Sequence, residues 1–207
     1  KYRLDLLTVD AAGGGTGMSP WRMMNEWGVP PVELHTLAYQ YAKQLADKGK
    51  HLPAIAVNGG FTFEDQIFKA LAMGAPYVKM VGMARAPIAA AMVGKTIGQT
   101  IDAQQVPVYI ERFGNSKDEI FVTAGELRHA LGDKEFDRLP TGAIGLYTYY
   151  ERLAQGLRQL MAGSRKFALT HMSRNDLAAL TPESARISGI RYIMDVDREE
   201  ASRILDI

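Results

Sequence analysis

Three short apolar segments, each followed by glycine and then by a longer amphipathic segment, dominate the first half of the chain. The apolar residues run almost continuously instead of alternating with polar ones, which is typical of parallel strands covered on both faces. The predicted strands are Leu4–Val9, Leu52–Val57 and Tyr77–Val81. The predicted helices are Val32–Lys48, a segment from a cap near Thr62 to Met73, and Ala86–Ile101. These crossovers are long enough for parallel pairing, so the pattern predicts an α/β fold.

The second half loses this rhythm and predicts a mostly helical tail. Val106–Ile110 and Glu119–Val122 are interpreted as possible short strands because they are short and apolar in part. Helices are predicted over Thr123–Leu131 and Ile144–Met161, and shorter ones begin near Ser173, Thr181 and Asp197.

Composition narrows the class of protein. The chain has 207 residues, a formal net charge of +1 and 47% apolar residues, an ordinary balance for a soluble domain. A charge so near zero gives no basic footprint for nucleic acid. No apolar run approaches the ~20 residues that span a bilayer, and no signal peptide is evident, so we expect a cytoplasmic protein with no membrane partner. Because the chain has no cysteine, thiolate nucleophiles and cysteine-held clusters are excluded.

The candidate chemistry lies where the three predicted strands end. Four glycines stand within Gly13–Gly17, and further glycines follow the next two strands at Asn58-Gly59-Gly60 and Val81-Gly82-Met83. Exposed backbone N–H groups at such turns can hold an anion or a flat cofactor, and ligands of α/β folds bind at the carboxyl ends of strands. We expect a phosphate site here; two tight turns without a ligand are the alternative.

The segment Gly14-Gly15-Thr16-Gly17-Met18-Ser19-Pro20 resembles the GGTG-x-x-P loop of the glutamate synthase family. Leu139–Tyr147, Leu160–Phe167 and the stretch from Ser188 to Asp197 resemble the tails of its short FMN-binding members. The resemblance implies that residues 1–103 form the C-terminal three β/α units of a (β/α)8 TIM-type barrel. It implies that residues 104–207 form a helical extension docked on that barrel.

The resemblance also implies site residues. Those expected to bind FMN are Gly14, Gly15, Thr16, Gly17, Gly59, Gly60, Gly82, Met83 and Arg85. Arg85 is equally plausible as a surface arginine, and Asp10 could bind substrate or orient the loop. No residue is assigned as catalytic. Lys79 could point into the barrel near a cofactor or pair with a carboxylate there, and we favour the pairing. His35 and Trp27 could line a site, but we interpret both as packing residues.

The implied function is an FMN-dependent oxidoreductase acting on CH–NH2 donors, which forms glutamate from 2-oxoglutarate and ammonia through 2-iminoglutarate. An electron donor or a glutaminase is an expected partner. We expect no iron–sulfur cluster from this chain, because the stretch Ile88–Gln105 has no cysteine. One alternative is another FMN or phosphate-binding barrel, such as one resembling type 2 isopentenyl diphosphate isomerase. IMP dehydrogenase chemistry is excluded, because it needs a cysteine and this chain has none. The non-enzymatic alternative is a non-catalytic phosphate-binding half-barrel.

The number of predicted strands is too small for a closed barrel. Three strands of barrel type are present in the pattern, whereas a closed barrel needs eight. We therefore expect this chain to be part of a larger catalytic unit and to be inactive alone. A small self-contained α/β domain, in which the tail covers the sheet, is the alternative.

Overall fold

The described residues form a three-stranded parallel sheet whose strands alternate with helices along the chain. The computed structural model describes residues 3–12 and 18–205, and the glycine segment Gly13–Gly17 lies outside the described residues. The strands follow one another in the order β1 (Leu6–Asp10), β2 (Ala54–Asn58) and β3 (Val78–Val81). The predicted α/β class and parallel pairing are confirmed.

The helices follow the predicted pattern closely in the first half of the chain. Their bounds are α1 (Trp21–Asn25), α2 (Pro31–Asp47), α3 (Glu64–Gly74), α4 (Arg85–Asp102), α5 (Val108–Glu111), α6 (Lys117–Ile120), α7 (Ala124–Leu131), α8 (Asp133–Arg138), α9 (Thr141–Gly163), α10 (Pro182–Ser188) and α11 (Arg198–Ile204). Short 3-10 turns occupy Leu169–His171, Arg174–Asp176 and Ile193–Asp195.

Local sequence fixes both ends of α2. Pro31 occupies the first turn, where its missing N–H leaves no intrahelical bond unmade. At the other end Gly49 has a φ of +61°, and its N–H donates to the Ala46 carbonyl at 2.9 Å. The N–H of Lys50 donates to the Leu45 carbonyl at 2.9 Å, which completes a Schellman motif. Gly49 therefore ends the helix, directly after the predicted helical segment Val32–Lys48.

One face of the sheet forms the main apolar core. The register pairs Val9 with Val57 and Ile55 with Val78, so these side chains point to the same side. They pack with Phe68 and Leu71 of α3 and with side chains from the C-terminal segment, among them Leu157, Met161, Met172 and Leu177. The C-terminal segment thus adds to the face that the helices already cover.

The opposite face of the sheet is open. It carries Leu6, Thr8 and Asp10 of β1 together with Ala56 of β2 and Met80 of β3. Leu6 and Met80 are 52% and 43% exposed, so the described residues leave apolar surface uncovered here. Parallel sheets are normally covered on both faces.

The two short strands predicted in the second half are wrong. Val106–Ile110 enters α5, because Pro107 supplies no ladder N–H and sits directly before the helical turn. Glu119–Val122 overlaps α6, whose first turn is closed by a capping box. Glu119 Oε2 accepts the Ser116 N–H at 3.1 Å, and the Glu119 N–H donates to Ser116 Oγ at 3.3 Å. The Ser-x-x-Glu signature was present in the sequence and outweighs the apolar residues that follow it.

The chain divides into two compact units whose bounds differ from the predicted 1–103 and 104–207. Unit 1 contains Lys1–Met83 and Leu157–Ile207, and unit 2 contains Ala84–Gly156. Unit 1 takes the C-terminal segment because Met172 and Leu177 belong to the core of the sheet. Unit 2 has its own core, built from Phe121, Leu127, Phe136 and Ile144.

Within unit 2, glycines allow α4 and α9 to approach at backbone distance. A Cβ on Gly94 would lie 2.6 Å from the Thr141 carbonyl oxygen, and one on Gly145 would lie 2.9 Å from the Gly94 Cα. Gly94 weakens α4 as an isolated helix. Its place in the sequence is explained by this crossing, which no larger residue permits.

We predict that Gly145→Ala destabilises the protein by about 1–3 kcal/mol, because the added methyl must push the two helices apart. The gain in helix propensity, at most about 1 kcal/mol, acts in the opposite direction. The matched control is Gly125→Ala in α7, where a Cβ meets nothing within 4 Å; this variant should be as stable as the parent or more so. Urea unfolding measures both, and equal stability of the two variants would contradict the crossing.

Candidate functional site

The carboxyl ends of the three strands lie at one edge of the sheet, within unit 1. Asp10 pairs with Asn58 in the register of β1 and β2. The N–H of Gly82, directly after β3, donates to the Val57 carbonyl at 2.9 Å. The structure therefore brings together the ends of all three predicted strands, which is the arrangement that binds ligands in α/β folds.

The residues that lead into Gly13–Gly17 are held from two sides. The Ala11 N–H donates to the Asn58 carbonyl at 3.1 Å, and the Ala12 N–H donates to the Val29 carbonyl at 2.8 Å. A Cβ on Gly59 would lie 2.7 Å from the Ala11 Cβ, and one on Gly28 would lie 2.7 Å from the Ala12 Cα. The chain is thus fixed as far as Ala12, and the predicted contacts of Gly14, Gly15, Thr16 and Gly17 lie outside the described residues.

Gly60 is exposed at this edge. Its φ is +74°, and a Cβ there would meet nothing within 4 Å. Its N–H forms no hydrogen bond with the described part of the chain. By contrast, the N–H groups of Thr62 and Phe63 are occupied, because Gln66 Oε1 accepts them at 2.8 and 3.1 Å. Gly60 is exposed and therefore offers a backbone N–H that the described residues leave unused.

Gly82 has a different role from the one expected of a phosphate donor. Its N–H is already used within the sheet, as described above. A Cβ at this position would lie 1.9 Å from Asn58 Oδ1, so the absence of a side chain makes room for the Asn58 amide. Asn58 is the residue that the sequence patterns missed; its polarity at the last position of an apolar strand was the available signal.

The remaining predicted residues differ in their surroundings. Asp10 is exposed on the open face of the sheet. Met83 is partly buried and packs against the main core. Arg85 is the first residue of α4 and belongs to unit 2, so its contact with a phosphate stays a prediction.

Two interpretations are corrected by the structure. Lys79 is exposed on β3 and forms no salt bridge within residues 3–12 and 18–205, because its strand lies at the edge of the sheet. Trp27 is 76% exposed and does not pack in the core, because it follows the short helix α1 in the connection to α2.

His35 supports the site from behind. Its Nε2 donates to the Asn58 carbonyl at 3.3 Å, and its ring stacks on Phe61 with centroids 5.7 Å apart. The side chain is 2% exposed, and this burial lowers the pKa of His35 despite the hydrogen bond to Asn58. His35 is therefore a neutral packing residue near neutral pH, as its sequence context predicted.

Exposed apolar side chains follow the glycine segment along the chain. Met18, Trp21 and Trp27 are 93%, 63% and 76% exposed, and they precede α2. Clustered exposure of large apolar side chains marks a surface that contacts a ligand or another part of a protein. This segment connects the carboxyl end of β1 to α2 and so begins at the candidate site.

The described residues hold neither a metal cluster nor a membrane helix. No group of three or more His, Asp or Glu side chains among them is placed to hold a metal ion. None of their helices combines the length and apolarity needed to cross a bilayer.

The comparisons with known proteins concern the part of the chain that builds this site. Residues 1–94 match the family model described as a conserved region in glutamate synthase. The resemblance predicted from the glycine segment is thereby confirmed for these residues, while the motifs of the tail lie beyond the match. Neither a curated protein nor a solved structure matches the chain.

We predict that Gly82→Ala destabilises the protein by about 1–3 kcal/mol, because the new Cβ displaces the Asn58 side chain. In the Asn58→Ala background the same change should cost much less, since the obstacle is gone. Denaturant unfolding of the two single variants and the double variant gives the coupling free energy. Additive effects would show that the Asn58 side chain does not fill the space above Gly82.

We predict a pH dependence of stability from His35. Its pKa is lower in the folded state than in the unfolded chain, so the folded state binds fewer protons. The free energy of unfolding is therefore fully retained above about pH 6.5 and falls as the pH drops below it, by at most about 1.4 kcal/mol per pH unit. His35→Gln, which keeps a side-chain N–H, should lose this slope between pH 7.5 and 5.5 in urea titrations. The matched control is His129→Gln on exposed α7 surface, and an equal loss of slope in both variants would contradict the assignment.

Proposed function

We propose, from the premise that residues 1–94 carry the conserved region of glutamate synthase, that this chain forms part of an FMN-dependent oxidoreductase of that type. The reaction is the reductive formation of glutamate from 2-oxoglutarate and ammonia through 2-iminoglutarate. The observation that carries the proposal is the turn after β2, where the accessible Gly60 N–H stands among three converging strand ends.

The residues of this turn fit the phosphate of FMN. The left-handed conformation of Gly60 exposes its backbone, and the open space around it would be reduced by any side chain. The Gly60 N–H would donate to a phosphate oxygen, and Gln66 keeps α3 capped without occupying that donor. When bound, FMN supplies the hydride chemistry, whereas the protein supplies orientation and electrostatics.

Asp10 suits one part of the proposed substrate. It ends β1 on the open face, beside Asn58 in the register. Its carboxylate would repel the carboxylates of 2-oxoglutarate and attract a cationic nitrogen, such as ammonium or a protonated imine. We therefore infer that Asp10 orients the nitrogen of the substrate.

The open face of the sheet supports the expectation of a larger catalytic unit. Leu6, Thr8 and Met80 are exposed there, on the side opposite the helices. In a (β/α)8 barrel this face is the interior, filled by side chains from the other strands. We propose that further barrel strands cover it and supply catalytic residues.

We predict that Gly60→Asp abolishes FMN binding, because a carboxylate and a side chain then occupy the place of the phosphate. Quenching of FMN fluorescence on titration with the protein measures the affinity. In the 207-residue chain we expect weak binding at best, so the same substitution is also made in the complete protein that contains the other strands. There, flavin content after purification is the readout.

The matched control for this experiment is Gly49→Asp. Gly49 also has a positive φ, of +61°, and a Cβ there also meets nothing within 4 Å, but it lies at the end of α2. It carries the same backbone strain and the same added charge. Equal flavin loss in both variants would remove the phosphate assignment. Gly82→Asp is less informative, since its side chain collides with Asn58 whether or not FMN binds.

Reaction specificity needs a separate measurement. Reduced flavin in the complete protein should be reoxidised by 2-oxoglutarate with ammonia, and Asp10→Asn should slow this step while leaving the flavin content unchanged. Retained flavin without any response to 2-oxoglutarate would favour a different FMN barrel, whereas absence of flavin would favour a non-catalytic half-barrel.

A further inference from the structure

A cavity lies in unit 1, away from the carboxyl edge of the sheet. It has a volume of about 410 Å³ and is lined by Tyr39, Pro76, Arg174, Gly189 and Arg191, among others. Pro76 lies two residues before the first residue of β3, so this cavity is near the amino end of that strand. None of the residues assigned to FMN or substrate lines it.

Arg174 is the central cation of this cavity. Its Nη1 donates to the Met73 carbonyl in the last turn of α3, and its Nη2 donates to the Ser188 carbonyl at the end of α10. Its Cζ lies 4.0 Å from the centroid of the Tyr39 ring, which supports the guanidinium plane. The ends of two helices and an aromatic face therefore hold the guanidinium in one orientation.

The guanidinium has binding capacity left. Arg174 forms no salt bridge with a carboxylate among the described residues. Two of its five N–H groups are used by the carbonyls, which leaves three donors for another acceptor. Burial lowers the pKa of Arg174. Folding has therefore already removed part of the water around this cation before a ligand binds.

The charged residues near Arg174 also favour an anionic ligand in this cavity. Arg191 also lines the cavity, and its Nη2 lies 3.8 Å from Asp197 Oδ1 in an exposed pair. Asp176 faces the other way, because its carboxylate accepts the Ser173 N–H at 2.7 Å and pairs with Lys166 at 3.5 Å. Gly189 borders Arg174, with a would-be Cβ 3.4 Å from Nη2, so no side chain screens the guanidinium there.

We propose that the cavity between Tyr39, Arg174 and Arg191 is a binding site for a small oxyanion, a phosphate or carboxylate group. The guanidinium keeps three N–H groups that can donate charge-assisted hydrogen bonds to the oxygens of such a group. Arg191 adds a second cation at the rim. The site is independent of FMN, of the glutamate reaction and of Gly60.

The test is a titration of the 207-residue chain with inorganic phosphate and, separately, with acetate, at constant ionic strength maintained with chloride. Nuclear magnetic resonance spectra of the arginine Nε–H groups report binding at Arg174. We expect saturable shifts of the Arg174 signal with phosphate, acetate or both, and the relative affinities identify the preferred class of oxyanion. Chloride balance removes the effect of ionic strength on the affinities.

Variants separate this site from general charge effects. Arg191→Gln should weaken binding about tenfold, since it removes one charge-assisted contact. The control is Arg198→Gln, which removes the same charge from an arginine that pairs with Asp195 at 3.3 Å and does not line the cavity. It should leave the affinity nearly unchanged. Gly60→Asp should also leave it unchanged, which distinguishes this proposal from the FMN assignment.

Arg174 joins two helix ends, so a variant at this position is compared with the parent chain only after its spectrum shows that it is folded. Arg174→Lys keeps the charge and, in a chain whose spectrum shows it folded, should lose most of the affinity by losing the fork of donors. The proposal is overturned if neither anion shifts the Arg174 signal. It is equally overturned if Arg191→Gln and Arg198→Gln reduce the affinity to the same extent.

Discussion

Close packing of backbone at the carboxyl edge of the sheet is the constraint on which the rest of unit 1 depends. Asn58 fills the space over Gly82, and its carbonyl accepts hydrogen bonds from Ala11 and His35. Gly59 and Gly28 enclose the residues before the glycine segment. A side chain at Gly59 or Gly28 would collide with Ala11 or Ala12, and one at Gly82 would collide with the Asn58 side chain. The backbone geometry of the candidate site therefore depends on positions that have no side chain, and the polar groups are held on that backbone.

The same edge separates two kinds of glycine. Gly82 is needed for packing, and its N–H donates within the sheet. At Gly60 an added Cβ would meet no neighbouring atom, and the Gly60 N–H forms no hydrogen bond with the described residues. A glycine-rich motif that predicts a phosphate site thus contains glycines required for packing beside a glycine whose N–H is unused within the described residues. This distinction concentrates the proposed flavin contact on the turn after β2.

The C-terminal segment of unit 1, Leu157–Ile207, contains Arg174 and Arg191 of the proposed anion site. Met172 and Leu177 anchor it in the main core, and Arg174 joins the carbonyl ends of α3 and α10. The cation that stabilises this docking also lines a cavity with unused donors. Docking and anion binding would then draw on the same guanidinium, because a fork of five N–H groups can serve both.

The sequence by itself determined the alternation of strands and helices, the glycine ends of the strands and the glutamate synthase resemblance of residues 1–94, because these depend on local periodicity and short motifs. The Ser116 capping box is also present in the sequence, although the apolar residues that follow it predict a strand. Only the tertiary structure decided which glycines pack and which are open. Only it placed the Asn58 side chain over Gly82 and brought Arg174 to the end of α3. These contacts join residues far apart in the chain, and no local pattern encodes the distance between them.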